Sequence, residues 1–191
     1  ISADYAYIID NRPDLRVIDV DPPESAHQVS AIDTDYYAEA IVISGTLAYI
    51  AGGPDGLHIV DISDPESPRY VHTVEMPNLA YDVAIQGNYA YVTVYREGLT
   101  IIDISNPETA QIVGSAKTEY GIRDVVVSDG YAYGAMGDGF YVFDVDPPED
   151  AHVVSSREIT GSALELMIEG DKVFMVVSIG FGMSSSGYYA V

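Results

Sequence analysis

The chain contains no cysteine. That excludes disulfides, thiolate metal sites and cysteine nucleophiles, and it leaves the redox compartment open. Basic residues are scarce: 8 Lys and Arg stand against 30 Asp and Glu, a formal charge of −22. Such a field repels nucleic acid and anionic membranes. It favours cationic or basic partners, or a salt-rich medium that screens self-repulsion. A halophilic source and a cation-binding extracellular protein are the two readings of this acidity. No apolar run approaches the length that spans a bilayer, so direct membrane insertion is not expected. No signal peptide is visible and the first residue is Ile1, so the expectation is a mature product or a piece of something longer. Helical periodicity is absent throughout.

What is present is repetition. LRVIDVDPPESAHQV begins at Leu15, LHIVDISDPESPRYV at Leu57, LTIIDISNPETAQIV at Leu99 and FYVFDVDPPEDAHVV at Phe140. The spacing is 42, 42 and then 41 residues. A second phrase keeps the rhythm, as GTLAYI at 45–50, GNYAYV at 87–92 and DGYAYG at 129–134. Near-identity at this period means one small unit repeated, each copy burying its faces on its neighbours. The copies run approximately over 1–37, 38–79, 80–121, 122–162 and 163–191.

Each unit reads as four short strands. In the third copy they cover 82–86, 89–95, 99–104 and 111–115. In the fourth they cover 124–128, 131–135, 140–145 and 152–156, and a fifth copy opens at 165–169. Gly45 and Gly87 serve tight first turns, and Asp-Pro pairs end the third strands. The last link between second and third strands, GFGMSSSG at 180–187, predicts a longer, flexible polar loop. Third strands are apolar on both faces: Leu57 and Ile59 on one, Val60 and Ile62 on the other. Blades stacked radially bury both faces. The fold expected is therefore all-β, a β-propeller of four-stranded blades about 42 residues long, with the first strand innermost. The N-terminal copy lacks a first strand and the C-terminal copy lacks a fourth. This inventory predicts an arc of about five blades from a larger protein, with further repeats of the same chain outside the segment; the alternative is a single propeller domain over 1–191, a closed five-bladed ring with an irregular last blade.

The phrases LRVIDVDPPE, LHIVDISDPE, LTIIDISNPE and FYVFDVDPPE resemble the LVIVD repeat, over essentially the whole chain. The resemblance implies a β-propeller in an exported or surface-attached bacterial or archaeal protein. It implies no shared activity. The fifth copy departs most from the family pattern.

Four repeated aspartates, Asp19, Asp61, Asp103 and Asp144, end the third strands. A carboxylate there can accept backbone N–H bonds across the turn, which makes them structural. A second repeat position holds Ala40, Asp82, Asp124 and Glu165 at the start of the inner strand. Asp82, Asp124 and Glu165 would converge at one channel mouth and could hold Ca2+ or Mg2+ with water and carbonyls. The competing reading has each carboxylate capping backbone N–H groups or pairing with a neighbour such as Arg123. Tyr36, Tyr37, Tyr81 and Tyr120 sit just ahead of first strands, at the same rim, where tyrosine suits protein or polysaccharide recognition. Tyr5, Tyr7, Tyr49, Tyr89, Tyr91, Tyr131 and Tyr133 follow strand alternation and read as packing. Of the four histidines, His27, His58, His72 and His152, the three at or near one repeat position, His27, His72 and His152, fall in separate blades, which argues against a shared metal. No certain cofactor is implied. No HExxH, phosphate loop or Gly-x-Ser-x-Gly motif occurs, and Ser184, Ser185 and Ser186 have no evident base. The function expected is a non-catalytic structural or recognition scaffold at the cell surface. Its alternative is a propeller hydrolase or lyase, or a calcium-dependent carbohydrate-binding domain, with its site at the channel mouth.

Overall fold

The computed structural model describes residues 4–9, 15–33, 38–119, 121–181 and 185–190. Among the described residues sixteen strands build four antiparallel sheets. The first sheet holds β1 (Tyr5–Ile9), β2 (Leu15–Asp19) and β3 (His27–Ile32). The second is β4 (Ala40–Ser44), β5 (Leu47–Ala51), β6 (Leu57–Asp61) and β7 (Arg69–Val74) in sequential order. The third repeats it with β8 (Ala80–Gln86), β9 (Tyr89–Val94), β10 (Gly98–Asp103) and β11 (Gln111–Ala116). The last has five strands: β12 (Asp124–Ser128), β13 (Tyr131–Asp144), β14 (His152–Glu169), β15 (Lys172–Phe181) and β16 (Ser185–Ala190). Among the described residues no helix is long and apolar enough to cross a membrane.

Three differences from the sequence reading lie in the last sheet. Two expected strands merge into β13, whose first part pairs with β12 and whose second part pairs with β14. Val145 N–H still donates to the Gly130 carbonyl at 2.9 Å, as Ile62 does to Thr46 and Ile104 to Asn88. The repeat's hairpin is therefore kept, with its turn taken into the ladder: Gly137 pairs with Ala163 and Gly139 with Glu158, and the extra residues bulge on β14. Likewise the fourth strand of one copy runs straight into the first strand of the next as β14. The expected loop at 180–187 is largely paired: Gly180 faces Ser186 and Phe181 faces Ser185. A run of small residues carries no turn-forcing proline, so the ladder extends into it from both sides, and 182–184 lie outside the described residues.

The sheets stack face to face through apolar layers. Tyr49, Leu57 and Ile59 of the second sheet pack on Val83, Val92 and Ile102 of the third. Tyr91, Leu99 and Ile101 of the third pack on Val125, Ala132 and Phe143 of the fourth. Leu15 of the first packs on Ile50 and Val60 of the second. Leu57 and Val60 thus serve opposite neighbours, which is why the repeated phrase is apolar on both faces. Tyr49 and Tyr91 are buried as expected of packing, while Tyr131 is 41% exposed.

Polar contacts register the outer strands at the same 42-residue interval. Ser30 Oγ donates to the Pro65 carbonyl at 2.5 Å. His72 Nε2 donates to the Ala110 carbonyl at 3.2 Å. Gly114, at the third equivalent position, lies so close to Pro148 that a Cβ would sit 1.9 Å from its carbonyl oxygen. Each residue contacts the turn of the following sheet. The first strands β4, β8 and β12 likewise contact one another, so they form the inner edge of the stack.

Candidate functional site

The repeated aspartates behave as the turn chemistry requires. Asp19, Asp61, Asp103 and Asp144 each accept, through Oδ1, the backbone N–H two residues on, at 2.9, 2.9, 2.8 and 3.2 Å. Ser63 bonds hold the Asp61 carboxyl below its ordinary range, with Arg69 adding to them. The Ser105 backbone N–H does the same for Asp103. His27 and His152 donate to carbonyls two residues back, at Ser25 and Asp150. These groups are committed to the scaffold.

The inner-strand acids form a relay between sheets. Asp82 Oδ2 accepts the N–H of Val125 in the next sheet at 2.8 Å. Asp124, one repeat later, accepts the N–H of Leu166. The same position in two successive copies thus reaches the residue just after its own equivalent in the next copy. Burial first, and the neighbouring Asp124 carboxyl second, push the Asp82 carboxyl up to about 7 against the opposing Val125 N–H. The Asp82 and Asp124 carboxyls are thus close enough to act on one another, while each accepts a backbone N–H from the next sheet. Among the described residues no group of three or more His, Asp or Glu side chains could hold a metal ion. Asp82 and Asp124 are brought together; Glu165 stands one repeat further on, paired in register with Val176.

Thr93, which the sequence reading passed over, completes this junction. Its fully buried hydroxyl accepts the Asp82 N–H at 2.9 Å and donates to the Arg123 carbonyl at 3.2 Å. The repeat equivalents are Ala51, Ala135 and Val176, so a lone hydroxyl in an apolar column was the available signal.

The rim beside the relay is aromatic and basic. In the β8–β9 ladder Ala80 pairs with Val94 and Asp82 with Thr93, which leaves Tyr81 as a bulged residue between them. A bulge re-aims its side chain out of the ladder. The Tyr81 ring meets the Tyr95 ring edge-on at 6.0 Å. Arg123 lies over Tyr81 at 5.7 Å and Arg96 over Tyr95 at 5.0 Å. Arg96 has a φ of +60°, unusual for a residue with a side chain. Gly121 lies against the Arg96 backbone, and its φ of +79° is a conformation that glycine adopts freely. Tyr36, Tyr37 and Tyr120 of the expected rim lie outside the described residues.

Comparison with known proteins agrees with this geometry. No curated protein matches the chain. Among solved structures, the computationally designed Ika8 protein is similar with a TM-score of 0.74 at 9% identity, over 92% of this chain and 53% of its own. The computationally designed Ika4 protein is similar with a TM-score of 0.62 at 11% identity, over 82% of this chain and 92% of its own. At such identities the likeness concerns the fold, and this chain spans about half the length of Ika8. The LVIVD repeat matches residues 1–34, 36–75, 79–118 and 122–149. With four consecutive copies matched, the chain belongs to the LVIVD repeat family.

Proposed function

We propose that the chain is a non-catalytic recognition module of an exported or cell-surface protein, built as an arc of a larger β-propeller. Its working surface is the rim where the link before β8, the link after β9 and the link before β12 meet. The observation that carries this reading is the bulged Tyr81 and its ring contact with Tyr95, flanked on both sides by guanidinium groups. Aromatic rings held at a rim supply flat contact area at low entropic cost, and Arg adds directional donors. The acids of the relay serve the scaffold in this reading, because their oxygens accept backbone N–H groups.

The test is a glycan and extracellular-protein array probed with the protein and with a Tyr81→Ala, Tyr95→Ala double variant. The reading expects ligands that the wild type binds and the folded double variant does not. Binding that survives the double substitution, or no binding by the wild type, counts against it.

A further inference from the structure

Two of the chain's 8 basic residues, Arg96 and Arg123, sit on this one rim. Three other cations meet acids, Arg69 at 2.6 Å from Asp61, Lys117 at 2.9 Å from Glu97 and Lys172 at 3.3 Å from Asp171, while Arg16 donates to the Gln28 amide and Arg157 to the Ser156 carbonyl. Among the described residues neither Arg96 nor Arg123 meets a carboxylate; each lies on a tyrosine ring instead. In a chain with 30 acidic residues, this arrangement leaves both guanidinium forks without a carboxylate among the described residues, placed to take an outside anion.

The repeat supplies an internal control. The position just before the inner-strand acid reads Glu39, Tyr81, Arg123 and Leu164 in successive copies. The residues one before it (Ala38, Ala80, Ile122, Ala163) and two after it (Ile41, Val83, Val125, Leu166) are apolar in every copy. The shared geometry therefore does not dictate this position, which leaves it open to a role specific to one unit. Arg96 points the same way. Its positive φ is a conformation that glycine adopts freely, yet arginine occupies it.

Building on the recognition reading above, we propose that the Arg96–Tyr95–Tyr81–Arg123 ladder binds a glycan unit bearing an isolated carboxylate, a uronic acid flanked by neutral sugars. The two rings offer a face for the sugar's C–H surface, and a guanidinium takes the carboxylate in a bidentate grip. The charge of −22 decides between an isolated carboxylate and a polyanion. A polyanion extends past the Debye length of about 8 Å at physiological ionic strength and meets the acidic surface. A single carboxylate feels mainly the two local cations.

The probe is a disaccharide with a terminal glucuronate, compared with its neutral glucose counterpart and with a short acidic peptide. Two-dimensional NMR follows the Nε–H signals of Arg96 and Arg123. Saturable shifts at both arginines are expected, with the neutral sugar at least tenfold weaker. Arg96→Lys and Arg123→Lys keep the charge, lose the planar fork, and should each weaken binding about tenfold. Arg96→Gly relieves the positive φ, so it should raise the melting temperature while weakening binding; a purely structural role for Arg96 would not give that split. Equal affinity for the neutral sugar, or tighter binding of the acidic peptide at the same arginines, would overturn the uronic acid while leaving a recognition rim. If none of the three probes moves either arginine, the uronic acid is overturned, and the array result then decides whether the rim recognises anything.

Discussion

Two junctions between sheets use the same template and are held differently. Between the second and third sheets, position 40 is alanine and position 51 is alanine. That junction rests on the apolar layer of Leu57, Ile59, Val92 and Ile102, with the Ala80 N–H donating to the Gly53 carbonyl at 2.8 Å. Between the third and fourth sheets the corresponding residues are Asp82 and Thr93, and they tie Val125 and Arg123 across the gap. One repeat therefore builds a dry junction and a polar one without altering its strands. Cohesion comes from the apolar faces; the polar groups fix how one sheet is registered on the next.

The largest effect should come from the apolar layer that both junctions share. Leu57 and Leu99 are equivalent and fully buried. Leu57→Ala and Leu99→Ala should each cost about 2–5 kcal/mol in denaturant unfolding, the usual range for a leucine truncated in a packed core. Similar costs would mean that the polar contacts add to an equal apolar base. A cost below about 1 kcal/mol at either site would show that its layer collapses around the gap.

The next effect separates the junctions. Asp82→Ala strands the buried Val125 N–H and should cost about 1–3 kcal/mol. Ala40→Asp offers the dry junction a copied acceptor, with a gain of no more than about 1 kcal/mol because it also places a new charge beside Asp82. If Asp82→Ala is neutral in thermal melts, the relay is not what registers these sheets.

Acidity offers a finer probe. The Asp82 carboxyl is raised in the fold from its ordinary 3.8 to about 7, so the native state holds its proton more tightly than the unfolded chain does. That contribution is fully present below about pH 3.8 and is lost as pH rises through 7. Asp61 and Asp103 are lowered and act oppositely, losing stability as pH falls. Burial lowers the His58 imidazole, with Asp55 partly opposing it, so His58 favours the fold above its ordinary 6.5 and loses that as pH falls. Asp82→Asn keeps an acceptor for Val125 and cannot ionise. Relative to wild type it should therefore gain stability on going from pH 5 to pH 8, measured as the difference in melting temperature. A constant difference across that range would mean that Asp82 is ionised throughout.

The smallest effect is common to both junctions. With a charge of −22, molar potassium chloride should raise the melting temperature by several degrees over dilute buffer. Leu57→Ala and Asp82→Asn should show the same increment, because screening acts on the whole surface. A flat or falling melting temperature would show that repulsion does not limit this fold.

Much of the fold was legible in the sequence because its signals are local and repeated four times. Leu57, Ile59, Val60 and Ile62 announce a strand apolar on both faces, and Asp61 with Pro65 announces where it stops. The merged strands β13 and β14 were less legible, since Gly137, Gly139 and Gly161 suggest turns and nothing local says that pairing will run through them. The site was half legible. Repeat alignment put Asp82 and Asp124 in one column and Tyr81 at a rim. It could not show that an Asp82 oxygen would be taken by Val125, 43 residues on, because that contact depends on how two sheets are offset. Nor could spacing show that Tyr95 and Arg96, written in a link, would fold back on Tyr81.

The offset between lock and period bears on how such a chain can be recombined. Ser30 reaches Pro65, His72 reaches Ala110 and Gly114 abuts Pro148, so each unit carries a donor or a space for the next unit's turn. A crossover that moves one whole unit moves one half of each contact and meets an equivalent half in its new neighbour. Where the halves match, the graft fits at once. Where they do not, the misfit is local and nameable: a unit whose outer strand carries histidine in place of Gly114 would drive its ring into the Pro148 carbonyl. Shuffling of these repeats is thus constrained by a few cross-unit pairs, and those pairs mark the seams at which a chimaera should be cut.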